Sequence, residues 1–442
     1  MAKYRTTPAS TDRMPTGIPY IIGNEAAERF SFYGMKTILA VFMTKHLMDS
    51  GGKSDLMSEG EATIWVHGFT TAVYFTPLLG SFIADAFFGK YKTIVSLSLV
   101  YCLGHLALAL DETRTGLTIG LTLIAIGAGG IKGCVSAHVG DQFGKRNATL
   151  IEKVYGWFYL SINLGAFLST MLTPWLLKHH GPGVAFGVPG LLMLIATITF
   201  WAGRREFAHV PPRGMAFIRE TFSPTGLRVM RNLIVIYAMV AMFWALFDQT
   251  ASTWVFQAQK MDRNFLGMEW LPSQIQAVNP ALILILIPLF NWWLYPTISK
   301  YFPLTPLRKI SIGFFLVVPS FLIPAWIEYR LGMGQTPNIV WQLLSYLLLT
   351  SAEVMISVTC LEFSYTQAPR SMKSLVLGLF MASVALGNLF TGVVNAIILN
   401  EDGTSKLDGP AYYLFFAGAM FLTALLFIPV AMKYKERTYL QE

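Results

Sequence analysis

Nine ionisable side chains fall within otherwise apolar sequence: Glu25, Glu28, Arg29, Lys36, His67, Lys132, Asp248, Glu353 and Glu362. Their types suit the handling of charge rather than covalent chemistry. Two carboxylates beside a guanidinium can hold a proton or exchange it for an ion pair, because the acids push one pKa up and the cation pulls it down. A histidine titrates near neutral pH and can relay a proton, although a histidine in this setting can also serve as a hydrogen-bonded packing residue. No nucleophile lies at useful spacing from a base, and no ligand cluster has metal-like spacing. An enzyme, a bound cofactor and a metal site are therefore not expected.

Spacing assigns several of these groups to common helix faces. At about 100° per residue, Glu25, Glu28, Arg29, Phe32, Tyr33 and Lys36 fall within an arc of roughly 140°. His67 and Tyr74 are seven apart and share a face, and Trp244 and Asp248 are four apart and do the same. Glu353 and Glu362 are nine apart and so point in opposite directions. A charge at the centre of a lipid-embedded helix costs about 2.5–3.5 kcal/mol. Eight of them would sum to over ~20 kcal/mol unless paired or hydrated. A salt-bridged packing seam would satisfy the first helix, but buried pairs are rarely a net gain over apolar packing. A water-accessible polar cavity is the better expectation.

The elements that hold these groups follow from composition. Of 442 residues, 54% are hydrophobic and only 13% charged, against the roughly 25% of soluble chains. The expectation is an all-α membrane protein with twelve transmembrane helices. They lie near 18–47, 61–88, 91–110, 116–139, 151–177, 185–203, 229–259, 277–297, 307–327, 339–366, 372–399 and 410–432. With both termini on the cytoplasmic side, inside segments carry 22 of the 33 Lys and Arg and outside segments carry 8. That bias sets the orientation and explains the net charge of +8 without nucleic acid. Cys102, Cys134 and Cys360 fall inside spans, so neither a disulfide framework nor a metal site is expected. The N-terminal segment has no signal-peptide pattern. A basic loop at 204–228 divides the chain into a six-helix bundle over 1–203 and another over 229–442. Two six-helix bundles with a cytoplasmic linker is the plan of the major facilitator superfamily, where substrate binds at mid-membrane between the halves.

The segment Glu25-x-x-Glu28-Arg29-Phe30-x-Phe32-Tyr33 resembles the first-span signature of the proton-dependent oligopeptide transporters. The resemblance continues through Gly80…Asp85…Gly89-Lys90, Gly127…Gly130-Ile-Lys132, Gly140-Asp141-Gln142-Phe143 and Phe158-Tyr159…Asn163-Leu-Gly165. It extends to Phe243-Trp244…Asp248-Gln249, Gln276-x-x-Asn279-Pro280 and Ser351-Ala-Glu353, and on to Glu362…Gln367-Ala368-Pro369. It spans nearly the whole chain, with several motifs in order.

The resemblance implies a proton-coupled symporter that imports di- and tripeptides by alternating access. It implies that Glu25, Glu28 and Arg29 couple the proton, with His67 and Asp248 as a second coupling element at the outer gate. Lys36 and Lys132 would receive the peptide carboxylate. Glu353 would receive the ammonium, helped by Asn163 and Asn279. Tyr33, Tyr74 and Trp244 would shape the pocket, although core packing is the bland reading of such aromatics. A Lys132–Glu353 salt bridge would join the bundles until peptide breaks it, and Asp85 with Gly89 would latch them in the inward-closed state. The implied partners are peptides, protons and membrane lipid, with the chain a monomer in a bacterial inner membrane. Departures from the family pattern are Phe32 for tyrosine, Lys36 for arginine, Gly133 for proline, and short loops at 204–228 and 328–338. Lysine lacks the fork that grips a carboxylate twice. The alternatives are transport of a small anion such as nitrate, which needs no partner for an ammonium, or a non-transporting peptide sensor.

Overall fold

The structure, a computed structural model, describes residues 4–366 and 373–434. The motif residues Gln367, Ala368 and Pro369 and the cations Lys3, Arg370, Lys435 and Arg437 lie outside the described residues. The first half comprises α1 (Ile18–Lys45), α2 (Glu59–Ile83), α3 (Lys90–Leu110), α4 (Arg114–Gly140) and α5 (Ile151–Ala202). A short α6 (Met215–Thr221) lies in the linker. The second half holds α7 (Pro224–Phe247), α8 (Thr253–Gln259), α9 (Val278–Leu289), α10 (Tyr295–Ser299) and α11 (Pro306–Gly332). It ends with α12 (Val340–Glu353), α13 (Thr359–Thr366), α14 (Lys373–Ile398) and α15 (Pro410–Lys433). A two-stranded hairpin pairs Asn264–Phe265 with Met268–Glu269.

Among the described residues, ten stretches are long and apolar enough to cross a membrane. Two more crossings follow from geometry. α1 has 28 residues, about 42 Å of helix, and its five charged residues, four of them buried, set it apart from the others. α5 has 52 residues, about 78 Å as a straight rod, far beyond the ~45 Å of a whole bilayer. It turns back at Gly181, whose φ of 80° and ψ of 178° suit a residue without a Cβ. Thr173 and Pro189, on opposite sides of that turn, both approach Gly34 of α1. The chain therefore crosses twelve times.

Each half packs its own apolar core. Ile38, Phe42, Ile124 and Phe186 belong to the first, and Phe243, Phe314, Phe321 and Phe416 to the second. α7 begins at Pro224, inside the segment expected to be linker. The Ser223 hydroxyl accepts from the Gly226 N–H and Pro224 occupies the first helical position, so the chain is capped ahead of its apolar run. The halves meet along α2 and α14, and α5 meets α9 and the Pro272–Ala277 turn that precedes it. Among the described residues no packed interface joins α4 or α5 to α12 or α13. The linker and the N-terminal segment share one face, where Arg5 O accepts from the His209 N–H. That face is the linker face, and the opposite one is the far face.

Candidate functional site

α1 runs from the linker face to the far face and carries the charged stripe through the interior. Glu25, Glu28, Arg29 and Lys36 are all buried. A close approach by α5 holds the stripe in place: a Cβ on Gly165 would lie 2.7 Å from Ala26 O and 3.2 Å from the Arg29 Cβ. Arg29 Nε donates to Glu25 Oε1 at 2.6 Å and lies 3.3 Å from Glu28 Oε2. Lys132 of α4 places its Nζ 3.9 Å from Glu28 Oε1 and 3.6 Å from the Phe32 ring centroid. Neither Glu28 oxygen has a hydrogen-bond partner, nor does Lys132 Nζ. Asn24, one turn before Glu28, is 1% exposed, and both of its amide atoms are likewise unpartnered. Glu25 is thus committed to Arg29, whereas Glu28 is surrounded by cations without being bonded to any.

The far-face end of the stripe is built differently. Lys36 Nζ donates to Asp248 Oδ1 at 2.7 Å across the two halves. Asn388 of α14 donates from Nδ2 to Asp248 Oδ2 at 2.7 Å. Its Oδ1 lies 2.7 Å from His67 Nδ1, and His67 Nε2 lies 3.0 Å from Ser252 Oγ. Because the Asn388 amide nitrogen is spent on Asp248, its oxygen must accept from His67 Nδ1–H. In the neutral ring Nε2 then accepts from the Ser252 hydroxyl. α7 ends at Phe247 and tightens into a turn over Asp248–Ala251; Asp248 meets Lys36 and Asn388, and the following Ser252 meets His67. At the rim, Lys260 bonds Glu59 at 3.0 Å. Nearer the middle, the Gln276 amide reaches Thr37 O at 3.4 Å. The far face is closed by this chain of contacts.

In the second half, Asn279 donates to Glu353 Oε2 at 2.6 Å and to Thr350 Oγ1 at 3.1 Å. Tyr33, Tyr74, Asn279 and Glu353 are each half-buried. Trp244 is buried against Phe243 and Phe247, and its indole N–H is unpartnered.

Three expectations need correction in this conformation. Lys36 does not join Lys132; it is paired with Asp248. Lys36 lies seven residues beyond Arg29, roughly 10 Å along the helix axis, and so reaches the far-face network instead of the stripe's lower end. Lys132 and Glu353 do not pair, because α4 and α12 are not packed together and each group has other neighbours. Asn163 donates to Tyr159 O of its own helix, not toward Glu353. Asp85, whose latch is expected only when the inner face is closed, keeps to the first half and the linker here. Its carboxylate is 3.7 Å from Lys90, which bonds Asp141 at 2.8 Å, and its carbonyl accepts from the Arg213 N–H of the linker. His67 and Asp248 do come together, but through Asn388. Asn388, Ser252, Thr350 and Asn24 are absent from the sequence expectations, which start from ionisable groups and add Asn163 and Asn279 only through the resemblance. An asparagine within the apolar run Leu386-Gly387-Asn388-Leu389-Phe390 was the available signal.

This geometry can be set beside known proteins. The family model described as PTR2, POT family, matches residues 91–225 and 223–412. Peptide transporter family 1 of Drosophila melanogaster is 38% identical over 364 residues, covering 72% of this chain and 48% of its own length. Solute carrier family 15 member 2 of Homo sapiens is 36% identical over 368 residues, covering 72% of this chain and 49% of its own. The chain spans about half the length of these relatives. A crystal structure of an auto-inhibited POT family peptide transporter matches with TM-score 0.87 at 35% identity, covering 97% of this chain and 99% of the other. That of the POT family transporter PepTSo matches with TM-score 0.86 at 35% identity, covering 96% and 99%. The twelve-crossing all-α architecture is that of the major facilitator superfamily, and the chain belongs to the POT family.

Proposed function

We propose that this protein imports di- and tripeptides together with protons by alternating access. The observation that carries the proposal is the placement of opposite charges on the two halves, neither hydrogen-bonded to a charged partner. Lys132 in the first half has no hydrogen-bond partner, and Glu353 in the second has only neutral ones. A free peptide is a zwitterion whose carboxylate suits Lys132 and whose ammonium suits Glu353 with Asn279. Nitrate would leave Glu353 without a use. Names of the relatives, which are peptide transporters, support the same substrate class.

Glu28 is the proton site in this reading. Its oxygens have Arg29 and Lys132 within 4 Å but are bonded to neither, so a proton competes with nearby cations rather than with a formed hydrogen bond. Peptide carboxylate drawn to Lys132 weakens one of those competitors and thereby couples substrate to proton. The Lys36–Asp248–Asn388–His67 chain is the outer gate, and its closure with the linker face unpacked is the inward-facing state. Both termini are cytoplasmic, and the membrane is a bacterial inner membrane. The short α11–α12 connection, with no room for an extracellular domain, supports that location. The test is uptake into proteoliposomes of dialanine and of nitrate, each with and without an inward proton gradient. Gradient-stimulated dialanine uptake is expected. Gradient-stimulated nitrate uptake with no dialanine uptake would overturn the reading.

A further inference from the structure

A second charged feature lies on the linker face, far from the α1 stripe. Arg228 and Arg231 of α7 and Lys433 of α15 line a cleft of about 830 Å³ whose walls include Val235 and Pro429. Residues 228, 231 and 235 follow the i, i+3, i+7 spacing of one helix face, and 429 and 433 are one turn apart. Among the described residues no carboxylate lines the cleft. None of the three cations makes a hydrogen bond or ion pair with another described residue. Beyond the cleft, Ile234 and Val235 of α7 and Leu425 and Leu426 of α15 present exposed apolar surface.

An excess of cations on this face follows from topology alone. Topology does not require cations from helices some 200 residues apart in sequence to converge on an acid-free cleft. From Arg228 to Val235 the helix rises roughly 10 Å. That distance covers one headgroup layer, about 5–8 Å, and the first acyl carbons beneath it. Cations at the outer end and apolar walls at the inner end match an amphiphile whose charge is negative. We propose that this cleft binds an anionic phospholipid of the linker-face leaflet, with its phosphate between Arg228, Arg231 and Lys433 and its acyl chains along α7 and α15. Basic pockets between membrane helices recognise headgroups in this way. The lipid joins the linker-face end of α7 to α15, where α7 otherwise begins at the linker.

Native mass spectrometry of the detergent-purified full chain tests this with phosphatidylglycerol, phosphatidylcholine and inorganic phosphate. The wild type should retain one phosphatidylglycerol at a concentration about tenfold or more below that needed for phosphatidylcholine. The R228S/R231S/K433S variant should lose that preference, and R228K/R231K should keep most of it. The single variant R231E should lose it as well, which covers the case in which the triple variant does not fold. Equal retention of the two lipids by the wild type would overturn the proposal, as would an unchanged preference in R231E. Displacement of phosphatidylglycerol by millimolar inorganic phosphate would show that the cleft reads free phosphate, and the lipid assignment would fall.

Discussion

The two ends of the α1 stripe use the same residue types in opposite ways. At the far face Lys36 and Asp248 have bonds at 2.7 Å, and Asn388, His67 and Ser252 extend them from α1 to α14. Eight residues earlier on α1, Glu28 lies 3.9 Å from Lys132, and the polar atoms of both are unbonded. A completed network holds one arrangement, which is what a closed gate needs. An incomplete one can be settled by a proton or a substrate, which is what coupling needs. The Lys36 substitution contributes to the difference. A lysine donates as a single point and engages only Oδ1, leaving Oδ2 for Asn388, whereas an arginine fork would compete for both.

The largest break in this contrast is Asp248→Asn. It leaves Lys36, 7% exposed, without its counter-charge, a loss of about 3–5 kcal/mol for one partner of a buried pair. Spin labels on the far-face ends of α2 and α14 should move apart. An unchanged distance would place the gate elsewhere. Asn388→Leu comes next. It strands His67 Nδ1 and Asp248 Oδ2, each at a cost of about 1–3 kcal/mol. The same labels should show partial opening, and opening in the wild type should depend on pH more steeply than in the variant. Gly165→Ala probes the other end of the stripe. Its Cβ would approach Ala26 O at 2.7 Å, and overpacking costs about 1–3 kcal/mol. The melting temperature should fall while the α2–α14 distance stays put.

The smallest effect concerns the linker, outside both regions. His209 stacks on Tyr4 at 4.3 Å and donates to Arg204 O at 2.7 Å. Its burial there holds the imidazole below its ordinary range. A depressed histidine adds stability that is present above its unfolded pKa, near 6.5, and lost as pH falls through the lowered folded value. Proteolysis of the 204–228 segment should therefore quicken on acidification from about pH 6.5, and His209→Phe should flatten that response. A pH-independent wild type would contradict it.

The fold was legible because lipid imposes a length and a charge rule that the sequence obeys. The one long rod, α5, holds the two spans expected at 151–177 and 185–203, and it turns between them at Gly181. The site was legible only in part. A helical wheel gives angle but no height, so it puts Lys36 on one stripe with Glu28, and the resemblance adds Lys132, although Lys36 stands at the far-face end. An inventory of charges omits amides, so Asn388 was missed. Lys132 and Glu353, and the Asp85 latch, concern contacts that depend on which face is open, and one sequence encodes every state of the cycle.

The account rests on Glu28 being poised rather than bonded. Its most direct test compares wild type and Glu28→Gln in proteoliposomes, by gradient-driven dipeptide uptake and by counterflow without a gradient. Gradient-driven uptake should collapse in the variant while counterflow persists, because the site and gate remain and only the proton's acceptor is gone. Unchanged gradient-driven uptake would contradict the assignment of coupling to Glu28.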